Sequence, residues 1–196
     1  MPTTEIPIRT FIAIEPPPDL EGAIRNLQVQ LKQRLAFPAM RWVQPHGIHL
    51  TLKFLGEINS NDVPKIISAC NAIEIPAFNL SISNAGAFPN VRNPKVLWIG
   101  LGGELATLKV LQQSIEDALE DEGFPREAKS FRPHLTLGRI RRPGNSETTV
   151  AQLLSTQLPE TVFPVNRYCL MRSELLPGGA KYTELAHFEL VSRVTA

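Results

Sequence analysis

His-Leu-Thr-Leu occurs at residues 49–52 and again at residues 134–137, in a chain with only four histidines. In a β-strand successive side chains point to opposite faces. His49 and Thr51 then project to one side, with Leu50 and Leu52 behind them; His134 and Thr136 do the same in front of Leu135 and Leu137. Facing each other across one cleft, the two pairs bring two imidazoles and two hydroxyls to a point, with no carboxylate among them. That set suits displacement at phosphorus. A neutral histidine takes a proton from water, and a protonated one gives a proton to the leaving oxygen. The hydroxyls donate to the non-bridging oxygens. An imidazole with its ordinary pKa of about 6.5 can play either part near neutrality. A cyclic phosphate is an apt substrate, because ring strain helps to expel the leaving oxygen without a metal. One His-x-Thr alone would be weak evidence, since strands favour threonine and a part-buried histidine commonly only satisfies a hydrogen bond. The identical pair carries the reading.

The elements that must hold these residues follow from periodicity. Residues 6–14 (IPIRTFIAI) read as a strand, ended by the prolines of EPPPDL, which suit a helix start. Leu20, Ile24, Leu27, Leu31 and Leu35 recur at helical spacing. A short strand at 40–43, a turn at Pro45 and Gly47 and a strand over 48–55 follow. Val63, Ile67, Cys70 and Ile73 predict a second helix, then come strands at 78–83 and 95–101. Leu105, Leu108, Leu111, Ile115 and Leu119 make a third helix, stopped at Gly123. A strand over 132–140, a polar loop, a short helix over 150–157 and two final strands hinged at Pro177-Gly178-Gly179 complete the chain. The order argues an α+β fold with mostly antiparallel sheets. Each tetrapeptide follows a helix and sits on a strand, as in two similar lobes facing one another.

Other residues admit a plain structural reading beside a functional one. Arg139 shares the face of Leu135 and Leu137 in a regular strand; only a bulge at Gly138 turns it toward the cleft, where it could clamp a phosphate bidentately. It belongs to a basic stretch with Arg126, Lys129, Arg132, Arg141 and Arg142, whose simpler reading is a solvated face. Lys53 shares parity with His49 and Thr51 and is expected at the cleft edge or, more simply, as an exposed strand lysine. Phe11, Trp42 and Trp98 could stack on a base, although core packing is the expectation for at least two of them. His46 sits in a turn without an acidic partner, and His187 reads as structural, so no metal and no cofactor are expected.

The composition is 43% hydrophobic and 20% charged with a net charge of +1, that of an ordinary globular chain. Any polyanion must therefore be met by a local basic patch. Cys70 and Cys169 read as small core residues rather than a disulfide framework, in keeping with a cytoplasmic location. The first residues lack the pattern of a signal peptide, and no apolar run is long enough for a membrane span.

These motifs, with the flanks RTFIAIEPP, RWVQPHGIHLTLKFLGEI, GAFPNVRNPKVLWIGL, GFPREAKSFRPHLTLGRIRRP and LMRSELLPGGAKYTELAHFEL, resemble the two-histidine phosphoesterase superfamily. The likeness covers nearly the whole chain and is nearest to the bacterial and archaeal RNA 2′,3′-cyclic phosphodiesterases, also called 2′-5′ RNA ligases. It implies a single bilobal domain over residues 1–196, with pseudo-twofold lobes about a central groove and helices on the outer faces. It implies metal-free hydrolysis of RNA 2′,3′-cyclic phosphate ends, or of a small cyclic nucleotide, to 2′-phosphate ends by a monomer, with 2′-5′ ligation as the reverse. By position His49 is the proton donor and His134 the acceptor, with Thr51 and Thr136 on the phosphate; the residues alone are symmetric in the two histidines. The position of His46 is more usually acidic, amide or otherwise polar in such relatives, which touches the groove rim and nothing catalytic. Rival readings are a phosphodiesterase for 2′-5′ oligoadenylate or ADP-ribose cyclic phosphate, and an RNA- or nucleotide-binding module without turnover.

Overall fold

The computed structural model describes residues 6–34, 40–141, 150–151, 153–156, 158, 161–177 and 179–193. Leu35, Arg142 and Gly178 lie outside these, as does most of the expected polar loop. Strand β1 (Pro7–Ile14) ends at a proline run, and Pro18 opens helix α1 (Pro18–Arg34), where its missing N–H leaves no bond unmade. Leu20, Ile24, Leu27 and Leu31 of α1 are all buried, as their spacing requires. The short strand β2 (Met40–Trp42), a 3-10 turn (Pro45–Gly47) and β3 (Leu50–Asn59) follow. Helix α2 (Val63–Asn71) is shorter than its apolar spacing predicts: the chain turns at Ala72, whose N–H bonds the Ala69 carbonyl at 3.3 Å, and Ile73 falls beyond it. Strands β4 (Phe78–Phe88) and β5 (Val96–Gly103), helix α3 (Leu105–Asp121) and strands β6 (His134–Ile140), β7 (Val162–Val165), β8 (Arg167–Leu176) and β9 (Gly179–Glu189) complete the order. Val150, Ala151, Leu153 and Leu154 are helical, within the segment expected to be a short helix.

The strands form two antiparallel sheets, in the orders β3-β1-β8-β9 and β2-β6-β5-β4-β7. The halves correspond: β1–α1–β3 beside β8 matches β5–α3–β6 beside β4. One contiguous set of buried residues includes Ile12, Leu50, Leu52 and Leu170 of the first sheet, Leu80, Leu97, Ile99, Leu135 and Leu137 of the second, and the inner faces of the helices. A separate small cluster, Phe11, Ala13, Cys169 and Met171, lies on the opposite face of the first sheet. The motif strands therefore bury their leucines and turn their His/Thr faces away from the main core. Among the described residues, no helix is long and apolar enough to cross a membrane.

Candidate active site

A bulge follows each motif threonine. Ala13 pairs with Thr51 and Ile12 with Lys53, leaving Leu52 as an extra residue in β3. Likewise Trp98 pairs with Thr136 and Leu97 with Gly138, leaving Leu137 extra in β6. An inserted residue reverses the alternation beyond it. Lys53 is thus opposite Ile12 on the core face, only 1% exposed, and neither at the cleft edge nor on the surface as its parity predicts. It ion-pairs with Glu116 of α3 and donates to the Pro125 carbonyl at 2.7 Å. Gln112 donates to the other Glu116 oxygen at 3.1 Å, so this buried charge is paired and hydrogen-bonded. In the second lobe the same bulge puts Arg139 opposite Val96, on the face shared by Trp98 and Thr136. Gly138 permits this because β2 lies against it: a Cβ there would stand 2.2 Å from Met40 Cε and 3.0 Å from the Arg41 carbonyl oxygen. The Leu137 carbonyl accepts from Val43 N at 3.0 Å and from the buried Gln28 amide at 3.1 Å.

The histidines are held alike. His49 Nδ1 lies 3.0 Å from the Gly47 carbonyl oxygen, and His134 Nδ1 lies 2.6 Å from that of Arg132. A carbonyl only accepts, so each Nδ1 carries the hydrogen and donates it, and each Nε2 is left for the groove. Phe11 stacks on His49 with centroids 4.6 Å apart, and Tyr182 meets the same ring edge-on at 5.0 Å. Phe88 and Trp98 flank His134 at 4.9 and 6.4 Å. Phe11 and Trp98 therefore line the histidines, although Phe11 is itself buried, while Trp42 lies under Lys32, 5.4 Å from ring centre to Nζ. Burial lowers the pKa of His49 to about 4 against the pull of the Gly47 carbonyl, and the charge of His134 adds to the lowering. His134 is lowered too, by burial first and then by Arg139, against the Arg132 carbonyl. The two imidazoles thus lie within electrostatic reach of one another, and their burial disfavours a proton on either.

Three guanidinium groups supply the positive field. Arg41 pairs with Arg139 across β2 and β6, so the two share a face. Arg139, Arg9 and Arg41 all act on Tyr182, where burial nevertheless keeps the phenol pKa raised. Thr51 and Thr136 are half-buried beside their histidines. The rest of the basic stretch divides: Arg126 is bound to Asp117 and Glu120 of α3, while Lys129, Arg132 and Arg141 are exposed. Arg9, Arg41, Phe54 and Tyr182 were not singled out from the sequence. The pairings of β1, β2 and β9 bring them in, and no local motif marks them.

Cys169 is buried but has carboxylate as well as apolar neighbours: its thiol is 3.3 Å from Glu184 and 3.9 Å from Glu15, and burial followed by Glu184 pushes its pKa up to about 12. Glu15, Cys169 and Glu184 are the one group among the described residues close enough to share a cation. Arg167 lies 3.9 and 3.7 Å from those carboxylates, and His187 bonds Glu184 at 3.0 Å, so their charge is already met.

Two lobes that each offer a histidine and a threonine to one cationic groove define the two-histidine phosphoesterase class. The chain belongs to the LigT like phosphoesterase family, whose model matches residues 14–98 and 101–182. It is 31% identical over 183 residues to the RNA 2′,3′-cyclic phosphodiesterase of Archaeoglobus fulgidus, covering 93% of this chain and 100% of the relative. The crystal structure of a Thermus thermophilus protein superposes with a TM-score of 0.77 at 27% identity, over 95% of this chain and 100% of that one. E. coli LigT complexed with 3′-AMP superposes with a TM-score of 0.75 at 25% identity, over 94% and 99%. The protein is accordingly an enzyme of the phosphoesterase class.

Proposed function

We propose that the protein hydrolyses 2′,3′-cyclic phosphate ends of RNA to 2′-phosphomonoester ends without a metal. The observation that carries this reading is the matched pair of imidazoles, each fixed by a backbone carbonyl at Nδ1 and close enough for the charge of one to act on the other. His134 takes a proton from water as the oxygen attacks phosphorus. The bond from phosphorus to O3′ breaks, and His49 gives its proton to O3′. Thr51, Thr136 and Arg139 hold the non-bridging oxygens as charge develops on them. The assignment of donor and acceptor follows the family likeness, since the geometry treats the two rings alike. His49 can be a donor only once protonated, and the negative charge of the bound diester offsets the desolvation that lowers its pKa.

The relatives' activity and the nucleotide bound to E. coli LigT support a nucleotide phosphodiester as substrate. Ligation to a 2′-5′ linkage is the same displacement with an RNA 5′-hydroxyl attacking phosphorus in place of water and O3′ leaving as before. The test is end analysis of a cyclic-phosphate-terminated oligonucleotide after reaction in excess chelator. Phosphate retained on O2′ is expected. A 3′-phosphate product, or no turnover of either an oligonucleotide or a cyclic mononucleotide, would overturn the reading.

A further inference from the structure

Helix α1 and the segment from Trp42 to His46 leave between them a cleft of about 370 Å³, separate from the histidine groove. Arg25, Gln28 and Lys32 line it from the helix, and Trp42 and His46 from the other side. None of its lining residues carries a carboxylate. Arg25 and Lys32 are exposed, and among the described residues neither is held in an ion pair; Lys32 rests over the Trp42 ring instead. In a chain with a net charge of only +1, cations gathered without a counter-charge mark a local site for an anion.

The cleft is continuous with the groove through the chain itself. Trp42 follows Arg41, which shares the groove face with Arg139. His46 precedes Gly47, whose carbonyl fixes His49. Strand β2 is the edge of its sheet, so only the width of one strand, about 5 Å, separates the two surfaces. A cyclic phosphate stands at the 3′ end of its RNA, so every other nucleotide lies to its 5′ side. With the cyclic end at the histidines, that strand must leave the groove over an edge, and the β2 edge is lined with positive charge.

The geometry points to a second RNA-contacting site in this cleft, where Arg25 and Lys32 hold backbone phosphates 5′ of the cyclic end and Trp42 offers a stacking surface. The volume is on the scale of small-ligand sites, which run about 300–1,000 Å³, and an indole accepts any base. This inference rests on the proposed RNA activity and adds to it the means by which the enzyme prefers a polynucleotide over a mononucleotide.

The test is the double substitution Arg25→Glu with Lys32→Glu, assayed on two substrates. For a cyclic-phosphate-terminated oligonucleotide, KM should rise at least ~10-fold with kcat little changed. Its dependence of log kcat/KM on log salt should flatten by roughly 1.4, about 0.7 for each phosphate no longer held. For a 2′,3′-cyclic mononucleotide, which cannot reach the cleft, kcat/KM should stay within about twofold. An unchanged oligonucleotide KM, or equal losses on both substrates, would overturn the proposal. Fluorescence anisotropy of a labelled 2′-phosphate-terminated oligonucleotide reads the same binding without turnover. Wild-type protein that binds it but hydrolyses nothing would remove the proposed function alone; equal binding by the wild type and the double variant would remove the cleft.

Discussion

Phe54 and Arg139 occupy the same place in the two halves of the groove, each five residues after a motif histidine and each brought to the groove face by the bulge before it. Phe54 stacks on Phe11 at 5.7 Å and lies under the Arg9 guanidinium at 5.3 Å. One lobe thus sets an aromatic ring beneath a cation where the other sets the cation alone. Two imidazoles held alike acquire different surroundings. Arg139→Ala is expected to lower kcat/KM about 10–10²-fold for any cyclic phosphate, with Arg139→Lys restoring only part because the planar fork is lost. Full activity in the alanine variant would take Arg139 off the phosphate.

His49→Ala and His134→Ala should each cost roughly 10²–10⁴ in kcat, the usual size of a lost proton transfer. Their circular dichroism should match that of the wild type, because both rings lie outside the main core. A variant that loses less than tenfold would show that its ring carries no proton in the reaction.

The pH profile of kcat/KM follows from the direction of the shifts. One ring must be neutral and the other protonated. His49 is lowered to about 4 and His134 is lowered as well, so above the ordinary value of about 6.5 both are neutral in the free enzyme. The singly protonated form is most populated on the acid side, and a bell with its maximum below about pH 6.5 is expected. A maximum above pH 8 would contradict this. The same shift bears on stability. The folded pKa of His49 lies below its unfolded value, so its contribution is present above about pH 6.5 and is lost as the pH falls through 4. Thermal melts should drop over that window, and less steeply in His49→Phe.

The Lys53–Glu116 pair should behave as a buried charge pair, not as a catalytic one. Its side chains are 0% and 6% exposed, so Lys53→Ala or Glu116→Gln leaves a partner unpaired, at a cost of roughly 3–5 kcal/mol by denaturant titration. Lys53→Met combined with Glu116→Leu should recover much of the loss. A cost below about 1 kcal/mol for either single change would mean that water reaches the pair.

The helices and the motif strands were legible because each rests on local periodicity: the α1 stripe, the α3 stripe and the alternation of leucines behind each His-x-Thr. Lys53 was misplaced for an equally local reason. Parity counting assumes a regular strand, and the extra residue at Leu52 belongs to the pairing with β1, not to the residues of β3 themselves. For Arg139 the glycine beside it hinted at the irregularity; in β3 the corresponding position holds lysine and gives no such sign. Arg9, Arg41 and Tyr182 reach the groove from strands far apart in the chain, and nothing in their own neighbourhoods says which strands meet.

The order β3-β1-β8-β9 means that the sheet bearing His49 is closed by two of the last strands of the chain. On the ribosome, β1 and β3 can pair as soon as both have emerged, yet β1 lacks its other neighbour until β8 is made, with most of the second lobe made in between. Long-range pairing of this kind is slow and leaves unpaired edges exposed while it waits. A nascent chain released before β8 would carry both histidines and still lack the wall that Tyr182 supplies, so catalytic competence should arrive late and all at once.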